Sequence, residues 1–214
     1  GELRQPATRY LAVPEVSSEA RHYIPIGYLS AKTIASNLLY TVPNASLYTF
    51  AILTSHMHMA WMRYTAGRLK SDYRYSAGLV YNNYPWPATP TAVQHAAVEK
   101  AAQRVLDARA QFMGAPVAAV CDRRTPAAQP DERRSQTAAT KLCTLADLYD
   151  PLAMPPALAA AHSALDKAVD KCYRDAPFPS DRARVEYLFQ LYEQLTTPLA
   201  PSAPAKKKRR TAAA

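Results

Sequence analysis

The stretch from Phe50 to Pro87 constrains this chain more than any other, because its hydrophobic period changes partway along. Over its first half Phe50, Leu53, Met57, Trp61 and Tyr64 recur at spacings of three and four, and Ile52, Met59 and Ala60 widen the stripe almost all round. That pattern predicts one buried helix from about Leu47 to Thr65, with Pro43-Asn44-Ala45-Ser46 as the turn before it and Ser46 or Asn44 as its cap. From Leu69 the period becomes two. Leu69, Ser71, Tyr73 and Tyr75 fall on one parity, and Lys70, Asp72, Arg74 and Ser76 on the other. This predicts a strand over 69–76 with Tyr73 and Tyr75 turned inward and a charged face turned outward, continued or re-paired by Gly78–Tyr81. Tyr81 and Trp86 are expected to hold it on the core. Between the two halves, Ala66-Gly67 reads as a helix end whose glycine takes the left-handed cap conformation. Whatever the fold, a buried helix must deliver a strand with charges on its free side.

The flanking sequence supplies the rest of an α+β architecture. Residues 9–16, 22–29 and 33–42 read as strands, with Pro25 making the second an edge strand or a bulge. Residues 91–112 read as a long helix with Val93, Ala97, Ala101, Val105 and Leu106 inward. Thr144 caps a short helix. Pro155-Pro156 opens another, with the stripe Leu158, His162, Leu165, Val169 and Cys172 or Tyr173. Ser180 caps a last one carrying Val185, Leu188, Phe189, Tyr192 and Leu195. The expected organisation is a strand-containing module around a buried helix over 1–88, then an α-helical bundle over 89–197. A mobile loop is expected near 114–141, where Pro, Ala, Gln and charge dominate, and a disordered basic tail over 198–214. The first residues lack an initiator methionine, and the chain reads as a fragment of a longer protein.

Composition narrows the function classes. Of the formal net charge of +9, the Lys206–Arg210 run supplies 5, so the body of the chain carries only +4. A basic balance fits a polyanionic partner, but a body this mildly charged fits a neutral role as well. Three widely separated cysteines, Cys121, Cys143 and Cys172, with no CxxC pair, point to reduced thiols in a cytoplasmic protein rather than a disulfide frame or a zinc knuckle. No apolar run is long enough to cross a bilayer. His56 and His58 suggest a metal pair, yet residues two apart on a helix point away from each other and cannot share one ion. His162 and Asp166 lie one helical turn apart and are expected to form a local hydrogen bond rather than a catalytic pair. There is no Gly-rich phosphate loop and no ordered Ser-His-Asp set.

The cluster that stands out is Arg63, Arg68, Lys70 and Arg74, interleaved with Tyr64, Tyr73 and Tyr75. Taken alone, it is equally a solvated face beside an aromatic core. The segments SSEARHYIPIGYL at 17–29 and LTSHMHMAWMRYTAGRLKSDYRYSAGLVYNNYPWP at 53–87 resemble the target-recognition domain of MmeI-like DNA methyltransferases. LADLYDPLAMPPALAAAHSALDKAVD at 145–170 and RVEYLFQLYEQL at 184–195 resemble the helical C-terminal region of the same family. The resemblance implies a parent enzyme that transfers a methyl group from S-adenosylmethionine to an adenine N6 in double-stranded DNA. It implies no catalytic or cofactor-binding residue in this chain, since the methyltransferase domain of the parent is not in it. Met154-Pro155-Pro156-Ala157 has the prolines of an adenine methyltransferase motif but neither its amide nor its aromatic. By the same resemblance Lys70 and Asp72 would read bases, and Arg21, Arg63, Arg68, Arg74 and Ser76 would meet phosphates. The contrasting possibility is a helical protein-interaction module whose Arg/Tyr face binds an acidic protein partner.

Overall fold

The computed structural model describes residues 5–115 and 142–197. The loop expected near 114–141 lies almost entirely outside the described residues, as do the tail from 198 and Cys121. Among the described residues there are two small antiparallel sheets and six α-helices, so the architecture is α+β.

In the first sheet β1 (Tyr10–Pro14) runs between β3 (Gly27–Leu29) and β4 (Leu39–Pro43). Tyr10, Leu11, Ala12 and Val13 are all buried, so both faces of β1 are covered, which explains its unbroken apolar run. The other two strands are shorter than the sequence suggests: β3 begins only after Pro25, and β4 only at Leu39. In the second sheet β2 (Val16–Ser17) and β5 (Gly67–Leu69) flank β6 (Asp72–Arg74). Glu15 joins the sheets through its backbone: its N–H donates to the Leu38 carbonyl at 2.9 Å, and its carbonyl accepts from the Tyr75 N–H at 2.7 Å.

The expected helix over 47–65 is two helices, α1 (Leu47–Thr54) and α2 (His56–Thr65), divided at Ser55. Ser55 is extended, at φ −77° and ψ 161°, and serves both ends. Its hydroxyl donates to the Ile52 carbonyl at 2.7 Å and accepts from the His58 N–H at 3.3 Å. A serine that caps its own neighbours competes with helix continuation, and the apolar spacing alone cannot register that. Ser46 caps α1 as expected, accepting from the Thr49 N–H at 3.0 Å, while Asn44 takes a left-handed turn conformation at φ 53°. At the far end of α2 the glycine expectation fails. Ala66 leaves the helix extended, and Gly67 opens β5 directly.

Helix α3 (Ala92–Ala110) starts in a capping box between Thr91 and Gln94. Its buried stripe is Val98, Ala101, Ala102, Val105, Ala108 and Arg109, whereas Val93 is 79% exposed. The expected stripe holds at Ala101 and Val105 but is wrong at the first turns, where Val93 and Ala97 are exposed. After the short α4 (Leu145–Leu148), α5 (Pro156–Tyr173) buries Leu158, His162, Leu165, Asp166, Val169 and Asp170. Helix α6 (Asp181–Thr196) buries only Val185 and Leu188, leaving Phe189 and Leu195 partly open to solvent. Helix α3 packs on α5 and α1, and α2 packs on α6. One buried cluster runs from Leu11 and Ile24 through Phe50 and Trp61 to Val98, Leu158 and Leu165, so the strand-bearing part and the helices share a core. No helix among the described residues is long and apolar enough to cross a membrane.

Candidate nucleic-acid interface

The segment expected as one strand over 69–76 is a β-hairpin. Strands β5 and β6 pair antiparallel, with Gly67 opposite Arg74, Arg68 opposite Tyr73 and Leu69 opposite Asp72, leaving Lys70-Ser71 as a two-residue loop. Lys70 has φ 57°, and Ser71 is not left-handed. A positive φ at the first loop residue alone is the pattern of a type II′ turn, a position that ordinarily selects glycine. Lys70 and Asp72 therefore do not share one strand face. Lys70 stands at the tip, and Asp72 is the first residue of β6. The alternation of Tyr73 and Tyr75 against Asp72 and Arg74 is real but starts after the turn. Gly78–Tyr81 does not extend the strand either, because Ala77–Tyr81 forms a single π-helical turn capped by the Ser76 hydroxyl.

The inward side of the hairpin is aromatic. Tyr73 and Tyr75 are 7% and 3% exposed. The Tyr75 hydroxyl meets His58 Nε2 at 3.0 Å. Burial holds His58 neutral, with its pKa pushed down to about 3, and raises that of Tyr75, so this contact is between two neutral groups. Trp86 stacks edge-on against Tyr81 and Tyr84, as an anchoring role requires.

The cations around the hairpin are engaged. The Arg68 guanidinium lies 3.9 Å over the Tyr73 ring and donates to the Ser71 carbonyl at 2.7 Å and to Glu19 at 3.2 Å. Arg74 donates to Glu15 Oε1 at 2.9 Å. Arg63 points away from the hairpin, to Asp181 at 2.7 Å. Arg21 is half-buried, reaching the Ala146 carbonyl in α4 at 3.5 Å. Lys70 and Asp72 differ from all of these: among the described residues neither side chain has a hydrogen bond or an ion pair, with each other or with anything else. The tip thus offers one free donor and one free acceptor, framed by neutralised arginines.

Helix α2, from which the hairpin hangs, is held by carboxylates of the C-terminal helices. Asp166 on α5 accepts from the His56 backbone N–H at 2.7 Å and from the Tyr23 hydroxyl at 2.6 Å. Burial raises its pKa, and these two bonds oppose the rise. Asp181 meets the His56 ring through Oδ1 at 2.6 Å and Arg63 through Oδ2 at 2.7 Å. His56 and His58 thus turn to different partners, Asp181 and Tyr75. Trp61, 1% exposed, donates to the Val80 carbonyl at 3.0 Å and packs against Phe189 of α6.

The expected His162–Asp166 bond does not form. His162 Nε2 meets the Tyr149 hydroxyl at 2.5 Å, and that hydroxyl also accepts from Arg109, whose Nη1 donates to the Ile26 carbonyl at 2.7 Å. Burial, reinforced by the Arg109 charge, pushes the His162 pKa well down, and burial lifts that of Tyr149 to about 12. Asp166, Asp181, Glu15, Glu19 and this Arg109–Tyr149 knot carry no local sequence signal for these contacts, since the partners named here are distant along the chain. No three His, Cys, Asp or Glu side chains among the described residues converge as metal ligands would.

Comparison with known proteins gives this arrangement a family. Residues 2–88 match the model described as the MmeI target recognition domain, and residues 131–200 the one described as the MmeI C-terminal domain. DNA methyltransferase A of Bacillus subtilis (strain 168) is 41% identical over 186 residues, covering 87% of this chain and 18% of that protein. A solved structure of the Type IIL restriction-modification enzyme MmeI in complex with DNA matches with a TM-score of 0.73 at 40% identity, covering 90% of this chain and 22% of that one. The chain therefore spans about a fifth of the length of either relative. With consecutive matches to two domains of one enzyme, each supported by fold and sequence, the chain belongs to the MmeI family, its residues 2–88 matching the target recognition domain and 131–200 the C-terminal domain.

Proposed function

We propose that this chain is the DNA-reading part of a restriction-modification methyltransferase and that the β5–β6 hairpin is its reader. The observation that carries this is the unpartnered pair at the hairpin tip. Lysine only donates and suits guanine O6 and N7, whereas aspartate only accepts and suits the cytosine N4 amine. A free donor beside a free acceptor is chemically matched to a G·C pair in the major groove. Arg68, Arg74 and Ser76 flank the tip and are proposed to meet the phosphate backbone, the two arginines in exchange for Glu19 and Glu15, positioning the duplex without selecting its sequence. Arg63 and Arg21 are engaged elsewhere on the protein, with Asp181 and the Ala146 carbonyl, and are not assigned to DNA. An acidic protein partner fits less well, because the free Asp72 carboxylate at the tip would repel it.

The parent's chemistry is proposed as methyl transfer from S-adenosylmethionine to adenine N6, with the adenine extruded from the duplex to reach the active site. No residue of this chain is assigned to the cofactor. Its share of the work is to fix register and select the site while the parent's methyltransferase domain acts. The test is the double change Lys70→Glu with Asp72→Arg in the full-length parent, followed by mapping of methylated sites. The preference should move to the inverted pair at one position. Either single change should weaken binding by about 1–3 kcal/mol, since a base edge then faces the wrong partner. An active double variant with an unchanged site would refute base reading by this pair.

A further inference from the structure

We infer that Asp181 and Asp166, which lie on the helical C-terminal side and need not touch DNA, are positioning residues for the hairpin; this rests on the hairpin being the reader. Helix α2 ends at Thr65 and β5 begins at Gly67, with Ala66 alone between them. The direction of α2 therefore sets the root of the hairpin. His56 and Arg63 are seven residues apart, so they lie on one face of α2 about two turns from each other. A single carboxylate, Asp181, takes both, one oxygen to each, at 2.6 and 2.7 Å. It is a clasp along the helix, and a helix cannot roll under it without breaking one of its two bonds.

A second route reaches the same place. Asp166 holds the His56 N–H and also the Tyr23 hydroxyl. Tyr23 belongs to the segment that carries Glu19, and Glu19 holds Arg68, which in turn binds the Ser71 carbonyl inside the reader loop. The carboxylates themselves are fixed. Arg184 reaches Asp170 on α5 at 2.6 Å and Asp181 on α6 at 3.5 Å, tying the two helices together. Root and loop are thus both referred to α5 and α6. This accounts for why Arg63, close in sequence to the reader, faces away from it.

The test uses the whole 214-residue chain. Asp181→Asn and Arg63→Gln are compared with wild type by selection from a library of randomised duplexes, by amide hydrogen exchange and by the salt dependence of binding. Both variants should lower the preference for the selected duplexes over the library by about tenfold. Both should speed exchange across Gly67–Arg74 while leaving the salt slope unchanged, because no phosphate contact is lost. Unchanged exchange in the hairpin with unchanged preference would overturn the inference. So would an Arg63→Gln chain whose only change is a salt slope lower by about one, which would put Arg63 on a phosphate. Should the wild-type chain show no preference among duplexes, the reader assignment fails, and hairpin exchange in the two variants still decides the clasp by itself.

Discussion

Replacing Ser55 by Ala isolates the energetic value of the break between α1 and α2. The hydroxyl has two jobs in a site with no solvent access, since Ser55 is fully buried. It caps α2 by accepting from the His58 N–H, and loss of such a cap costs about 1 kcal/mol. It also donates to the Ile52 carbonyl. Because no water can replace it, the orphaned groups add about 1–3 kcal/mol of desolvation. The expected loss is therefore about 2–4 kcal/mol, read as a lower midpoint at unchanged slope in urea denaturation. Ser46→Ala is the internal control. It removes a cap of the same kind from α1, but Ser46 is exposed and water can take over, so about 1 kcal/mol should be lost. The competing outcome is that alanine restores the continuous helix that the apolar spacing suggests. Then the His56 N–H would turn back into the helix, Asp166 would lose an acceptor bond, and the loss would be small. A loss below about 0.5 kcal/mol for Ser55→Ala would refute the claim that the break is held by this hydroxyl.

Trp61→Ala should cost about 3–5 kcal/mol, because the indole is buried against Phe189 and Tyr84 and its N–H serves the Val80 carbonyl; thermal or urea melts measure it, and a loss under about 1 kcal/mol would show the site collapses freely. Acid should destabilise the chain early. His58 and His162 have folded pKa values below the ordinary 6.5, so the unfolded state binds more protons. Their stabilisation is complete above about pH 6.5 and is lost as pH falls from there toward the folded values, for His58 by about 2 kcal/mol between about pH 7 and about pH 5. Asp166, with its raised pKa, acts in the opposite sense at lower pH, and a flat stability profile over this range would contradict the assigned burial. Lys70→Gly should keep or slightly raise stability, since glycine relieves a left-handed residue by about 1 kcal/mol while adding entropy to the unfolded chain. The same change should abolish preference for guanine at one position of the site, and a stability loss above about 1 kcal/mol would mean that the lysine side chain is bound to the protein.

What was legible in the sequence was what depends on near neighbours. The caps at Ser46, Thr144 and Ser180, the inward Tyr73 and Tyr75, and the burial of Trp61 follow from side-chain chemistry within a turn or two. The hairpin leaves no mark in the sequence, because Lys-Ser has none of the Asn-Gly, Asp-Gly or Gly-first chemistry that signals a two-residue loop, and the alternation runs straight through it. The stripe of α3 was misplaced at its start because which side of an Ala-rich helix is covered depends on α5 and α1, and alanine marks neither side. The partners of His162 and Asp166 were beyond reach for a simpler reason. The sequence points His162 to the carboxylate one turn away, but the Tyr149 hydroxyl takes its Nε2, and Asp166 is taken by groups more than a hundred residues distant in the chain. In the site, residue types at the tip were legible, and their support was not, because Glu15, Glu19 and Asp181 approach from other elements.

Among the described residues nothing bonds to the side chains of Lys70 and Asp72, and this bears on how such a chain could change over generations. Most substitutions tax the fold, because the residue replaced was holding something. Here two positions that face outward hold nothing, while the residues that keep the hairpin in place are different ones, set behind and beneath it. A lineage could exchange the pair at the tip many times without first acquiring compensating stability. The freedom is unequal. Position 72 begins a regular strand and admits nearly any side chain, whereas position 70 sits at φ 57°, where β-branched residues are excluded and asparagine, aspartate or glycine is most at ease. Drift at the tip should therefore explore a lopsided alphabet, broad at one letter and narrow at the other.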